Sequence, residues 1–181
     1  MDASVRSSVW RQFGAAIDML ENAIELCPED LWEAPLLGEG SRNADYSEFW
    51  YVAYHTLFWL DLYLSGAVEG FRPPEPFTLD ELDPEGALPE RAYSKLEIKS
   101  YLQHGRQKCS AGVHALTAES AARRCSFTWG EVGYLELLLY NLRHVQEHAA
   151  QLSVFLGQEA GTEVGWVAFA KPGENKTTEV N

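Results

Sequence analysis

Five of the chain's eight prolines fall between Ala67 and Tyr93, three of them in the run Arg72-Pro73-Pro74-Glu75-Pro76. Proline fixes φ and has no amide hydrogen, so no regular helix crosses this stretch. The segments on both sides of it do read as helices. Connections in helical bundles are commonly about 2–8 residues, and this one is far longer. The chain is therefore expected to cross over between its second and third helices, which need not be antiparallel neighbours.

Four segments carry helical periodicity. Trp10, Phe13, Ile17, Leu20, Ile24 and Cys27 recur at steps of three and four, which predicts a first helix from about Ser4 to Cys27, stopped by Pro28. Pro28 to Pro35 reads as a turn or a single helical turn. The second helix is predicted from Asp45, with Glu48 completing a capping box, to Ser65 before Gly66. Its seven aromatics between Phe49 and Tyr63 cannot all face one core, so a subunit interface is expected to cover some of them. The third helix starts at Ser94, boxed by Glu97, and runs to about Leu116. Its inner stripe, Ile98, Leu102, Gly105, Cys109, Gly112 or Val113, and Leu116, is small in the middle, which implies close packing or a cavity. The fourth is predicted from Thr128, with Glu131 at the capping-box position, to Leu156-Gly157. No strand pattern stands out. The expectation is an all-α four-helix bundle over residues 1–157. A tail over 158–181 follows, in which Trp166, Val167 and Phe169 pack back and Gly173 to Asn181 are disordered.

The balance of charge narrows the partners. A formal net charge of −13, with Lys and Arg scattered, excludes the basic patch that nucleic acids and anionic membranes require. Phe49 to Val68 is apolar enough to suggest a membrane span. It contains His55 and Asp61, however, and is expected to be a buried helix of a soluble protein. Cys27, Cys109 and Cys125 are odd in number and form no CxxC pair, so a disulfide framework is not indicated and a reducing cytoplasm is expected. The N-terminus shows no signal-peptide pattern, and Asn175-Lys176-Thr177 reads as a chance match to a glycosylation acceptor.

Three histidines carry the chemistry. His144 and His148 are four residues apart in the fourth helix and so share a face. His55 lies on the inner stripe of the second, with Val52, Trp59 and Leu62. A His-x-x-x-His pair often arises by chance, and a lone His on an apolar face is more often a hydrogen-bonded core residue. Three buried imidazoles at mid-helix would each need partners, and a shared cation supplies them. Zinc is the first choice and nickel the alternative. His104 and His114 read as flank or surface residues. Asn141 and Gln151, one turn before His144 and after His148, are candidates to orient a ligand or touch substrate. Tyr51 and Trp59, either side of His55, would wall a pocket, although core packing is the plainer role for Trp59. His144 to His148 also matches the inverted-zincin pattern His-x-x-Glu-His, with Glu147 as base. That class needs a downstream carboxylate ligand in a different fold, so Glu147 reads as a solvated or supporting residue. A carboxylate-bridged di-iron site fits less well still, since it needs Glu and Glu-x-x-His motifs facing inward and the inner stripes of helices 1 and 3 carry no carboxylates.

These residues carry a family resemblance. His55 in Tyr54-His55-Thr56, His144 and His148 in Arg143-His144-Val145-Gln146-Glu147-His148, and the long connection between helices 2 and 3 resemble the DinB-like (YfiT-like) metal-binding four-helix bundles, over about Ser4 to Gly157. The resemblance implies a divalent metal, usually zinc or nickel, and often a homodimer. It also implies, for some members, a thiol S-transferase that conjugates a low-molecular-weight thiol to an electrophile. Three neutral imidazoles would leave a position open, where a thiol is deprotonated for attack or, in a hydrolase, a water is acidified. The alternative is a non-enzymatic binding or stress-response protein in which the metal is a structural clamp or the site is vestigial.

Overall fold

The computed structural model describes residues 1–37 and 45–170. In chain order the elements are α1 (Ala3–Leu26), α2 (Phe49–Ser65), α3 (Lys95–His114), a short α4 (Ala118–Ala122), a hairpin of β1 (Arg124–Phe127) and β2 (Gly130–Gly133), and α5 (Tyr134–Glu159). Among the described residues the fold is all-α, with short 3-10 turns and that one hairpin besides. The expected disorder of Gly173 to Asn181 and the Asn175-Lys176-Thr177 match lie outside the described residues.

The apolar stripes make the core. Phe13, Ile17, Leu20 and Ile24 of α1, and Ile98, Leu102, Cys109 and Val113 of α3, are all buried. The Ser94 capping box forms as the sequence predicts: the Ser94 hydroxyl accepts from Glu97 N, and the Glu97 carboxylate accepts from Ser94 N. Gly66 ends α2 with φ of 76°, a left-handed conformation that glycine takes without steric cost. Gly105 lets α3 approach α2, since a Cβ there would stand 2.9 Å from Leu60 Cδ2.

The pairing of the helices gives the topology. Contacts of α1 with α3 run antiparallel: Arg106 bonds Asp18 and Glu21, Gln103 bonds Glu21, Lys99 bonds Glu25, and Lys95 bonds the Cys27 carbonyl. Contacts of α2 with α3 run parallel, from Trp50 against Tyr93 to Ser65 against Lys108. Those of α2 with α5 run antiparallel, from Phe49 against Phe155 to the Leu64 carbonyl against Tyr134. The crossover therefore runs the length of the bundle and sets α2 and α3 side by side in the same direction.

Four expectations need correction. The fourth long helix does not begin at Thr128. Thr128 and Trp129 are the turn of the hairpin, with Phe127 paired to Gly130, and α5 starts at Tyr134. Glu131 caps nothing and instead binds Arg124 and Ser126 across the hairpin. The second helix begins at Phe49, because Asp45–Ser47 form a separate 3-10 turn and Glu48 is the extended residue before the helix. A carboxylate does sit inside α1: Asp18 is fully buried and receives Arg106 of α3. Finally, the aromatics of α2 are covered from within. Phe71, Phe77 and Tyr93 of the crossover pack on Tyr54 and Phe58, and Phe127 and Trp129 of the hairpin region pack on Tyr63. A second subunit is not needed to bury them.

Beyond α5 the chain returns to α1. Ala170 N donates to the Arg11 carbonyl, and the Arg11 guanidinium lies 3.9 Å from the Phe169 ring centroid. Val167 packs against the core, whereas Trp166 is 74% exposed and Phe169, apart from its contact with Arg11, is 55% exposed. Among the described residues no helix is long and apolar enough to cross a membrane.

Candidate metal centre

The antiparallel pairing of α2 with α5 brings His55 opposite His144 and His148. One ring nitrogen from each of the three lies within 4.8 Å of the others. The ring centroids are 5.3 Å apart for His55 and His144, 5.0 Å for His55 and His148, and 4.6 Å for His144 and His148. The Nε2 atoms of His55 and His144 are 3.3 Å apart. Two nitrogens, each about 2.0–2.1 Å from one tetrahedral zinc, would stand about 3.3–3.4 Å apart, so the spacing suits a shared ion.

The far nitrogens fix which lone pairs face inward. His55 Nδ1 is 2.8 Å from Glu81 Oε2, and His148 Nδ1 is 2.8 Å from Gln151 Oε1. Both partners are acceptors, so each Nδ1 carries the proton and each Nε2 presents a lone pair. This is the arrangement in which an outer carboxylate or carbonyl orients a metal-binding histidine. Among the described residues, His144 Nδ1 is buried without a hydrogen-bond partner, and so is Asn141 Oδ1 one turn earlier.

Glu81 holds the site together, and the sequence reading missed it. It comes from a 3-10 turn, Asp80–Leu82, in the Pro-rich crossover. Its carboxylate accepts from the Tyr51 hydroxyl at 2.7 Å, from Trp59 Nε1 at 2.8 Å and from His55. Burial alone would raise its pKa, but the hydrogen bond and charge of His55, joined by Tyr51 and Trp59, hold it below the usual glutamate value. No periodicity marks Glu81 apart from Asp80 and Asp83. The usable signal was chemical: a metal-binding histidine wants a carboxylate behind it.

The other predicted residues divide. Gln151 and Tyr51 lie where they can orient the centre, the first through His148 and the second through Glu81. Trp59 is tied to the same carboxylate, so its role exceeds plain packing. Asn141 is fully buried and donates to the Leu60 carbonyl at 3.0 Å, which clamps α5 to α2. Glu147 is exposed beside the site. His104 is exposed and 3.4 Å from Asp61, and His114 is exposed with its Nδ1 2.7 Å from the Ser110 carbonyl. A cleft of about 740 Å³ opens onto His55 and His148, with Tyr51, Glu147 and Gln151 also in its lining, while His144 lies behind it.

The family model of the DinB superfamily matches residues 12–152. The chain belongs to the DinB superfamily. No curated protein and no solved structure matches it. In this DinB-superfamily chain the matched span contains all three clustered histidines and Glu81.

Protonation opposes the centre. Burial, and then the charges that protonated His148 and His55 would carry, push the His144 imidazole down to about 3. His148 is lowered as well, by burial and by His55. Neutral rings are the state that metal binding requires. In the unfolded chain a histidine titrates near 6.5, so below that pH the unfolded state takes up a proton that the folded His144 refuses. Stability thus falls as the pH drops from about 6.5 toward about 3. At about 1.4 kcal/mol per pH unit, His144 alone costs about 2 kcal/mol at pH 5. Glu81 acts in the same direction at lower pH: its contribution is full above the unfolded glutamate value and is lost as the pH falls through its depressed one. Thermal scans of chelator-treated protein should show a midpoint that declines from pH 6.5 to 4, and His144→Leu should flatten the decline between 6.5 and 5. A parent midpoint constant over that range would contradict this.

Proposed function

We propose that the chain binds one divalent metal through His55, His144 and His148, and that the adjoining cleft delivers a small molecule to the face that the rings leave open. What carries this reading is the convergence of the three ring nitrogens within 4.8 Å while Glu81 and Gln151 occupy the far nitrogens of two of them. Zinc is the first choice, since three histidines with an open position are a catalytic zinc set, and nickel is the second.

The activity is a thiol S-transferase reaction, joining a low-molecular-weight thiol to an electrophile. When bound, the metal supplies a Lewis acid that lowers the pKa of a thiol at the open position. The chain supplies the rest. Glu81 fixes the His55 ring and Gln151 fixes the His148 ring, the first with a charge and the second without. Tyr51, its hydroxyl tied to Glu81, walls one side of the cleft beside His55. The buried free cysteines Cys27, Cys109 and Cys125 support a reducing compartment, the cytoplasm. A homodimer rests on the resemblance alone, because α2 is covered within one chain.

Elemental analysis of protein purified without chelator, followed by conjugation assays of thiols against a panel of electrophiles, tests the reading. One equivalent of zinc or nickel per chain is expected, with conjugation lost on chelation and restored by the metal. A chain that neither retains nor takes up a stoichiometric metal sinks it.

A further inference from the structure

The cleft that reaches His55 and His148 is lined unevenly. One part is aliphatic and aromatic: Leu36, Leu37, Val154 and Phe155. Leu37 is 52% exposed and Val154 58%, so two large aliphatic side chains meet water within one concavity. Apolar walls of this kind take up the body of a small molecule. The other part is acidic. Asp80, Asp83 and Glu147 line the cleft, with Glu81 beside His55, and among the described residues no Lys or Arg does.

Sites that recognise carboxylates or phosphates supply Arg, Lys or free hydrogen-bond donors. Here the nearby phenolic donors are committed within the protein: the Tyr51 hydroxyl donates to Glu81, and the Tyr46 hydroxyl to the Gly86 carbonyl. The whole chain, at −13, adds a repulsive field for anions.

We propose that this cleft selects a molecule that is uncharged or cationic, whose apolar body lies against Leu37 and Val154 and whose positive or hydrogen-bond-donating end faces Asp80, Asp83 and Glu147, and that it rejects anionic ones. The proposal rests on the metal-site reading only for orientation, with a thiol end directed at the three rings.

Three probes test it: para-aminomethylbenzyl thiol, para-carbamoylbenzyl thiol and para-carboxybenzyl thiol. They share a thiol and an aromatic body and differ in charge. Each is titrated calorimetrically into the full chain, with and without zinc. The amine and the amide should bind, and the carboxylate should bind about tenfold or more weakly, as expected from three or four carboxylates within one cleft. Combining Asp80→Asn, Asp83→Asn and Glu147→Gln should narrow the amine-to-carboxylate ratio to within about threefold. A carboxylate probe that binds as tightly as the amine, a ratio unchanged in the combined variant, or binding by none of the probes in either form overturns the proposal. The metal reading is tested separately by the same titrations. A charge order that holds while zinc adds nothing to thiol affinity supports the proposal and counts against the metal. Equal strengthening of all three probes by zinc, with no charge order, does the reverse.

Discussion

Replacing His144 with alanine should strip the protein of most of its metal, while replacing His104 should leave the metal content unchanged. His144 brings its Nε2 to 3.3 Å from that of His55 and within reach of His148. Without it, two imidazoles remain to hold the ion. Loss of a supporting residue behind a ligand typically lowers metal affinity by about 10–100-fold, and loss of the ligand itself should exceed that. Affinity is read by competition with a chromophoric chelator and content by elemental analysis. The fold should survive, because the substitution also removes a ring whose enforced neutrality costs the folded state stability below pH 6.5. His104 is the proper control: it is an imidazole on a neighbouring helix, exposed, facing Asp61 rather than the three-ring cluster. Metal lost with His104→Ala but kept with His144→Ala would place the centre elsewhere.

Glu81→Gln should weaken metal binding by about 10–100-fold while leaving all three candidate ligands in place. Glutamine keeps the shape but loses the charge, and it turns one acceptor oxygen into a donor. Tyr51, His55 and Trp59 all aim donors at this carboxylate; with the amide oxygen toward His55 and Trp59, the amide N–H would donate to the Tyr51 oxygen, and the Tyr51 O–H would lose its acceptor. A buried donor left without an acceptor costs about 1–3 kcal/mol, and the thermal midpoint of chelator-treated protein should fall accordingly. The two readouts separate two roles. If stability falls but zinc affinity, corrected for the folded fraction, does not, Glu81 is a packing residue and not the charge partner of His55.

The difference between His144 and Glu81 shows what was legible in the sequence. The histidines sit on helices, where a spacing of four residues means a shared face, and where apolar neighbours reveal which face is inward. Ser94 with Glu97 was equally legible, because capping is a local interaction. Glu81 sits where no period operates, and its position depends on the crossover folding back over α2. The same applies to the aromatics of α2. Their excess was visible in the sequence, but the residues that cover them, such as Phe77 and Phe127, lie in segments without a pattern. Thr128 and Glu131 show the opposite failure. The Ser/Thr-x-x-Glu spacing is satisfied, yet β1 and β2 are only four residues each and pair through Phe127 and Gly130. Gly130, with φ of 151°, occupies a conformation that suits glycine, and a strand that short leaves little alternation to detect. Asp18 was passed over because its partner, Arg106, lies 88 residues away in sequence.

That dependence on distant segments has a thermodynamic side. His55 and Glu81 are 26 residues apart, and His55 and His144 are 89 apart, so the cluster exists only once the crossover has docked and α5 has closed on α2. The unfolded chain retains only the local His144 and His148 pair. An ion that needs all three rings is therefore a ligand of the native state, and its free concentration enters the folding equilibrium: at about 100 times its dissociation constant it adds about 2.7 kcal/mol, less whatever the local pair binds. Metal supply would then bear on how firmly this chain stands folded, and withdrawal of the ion would lower its thermal midpoint as well as empty the site.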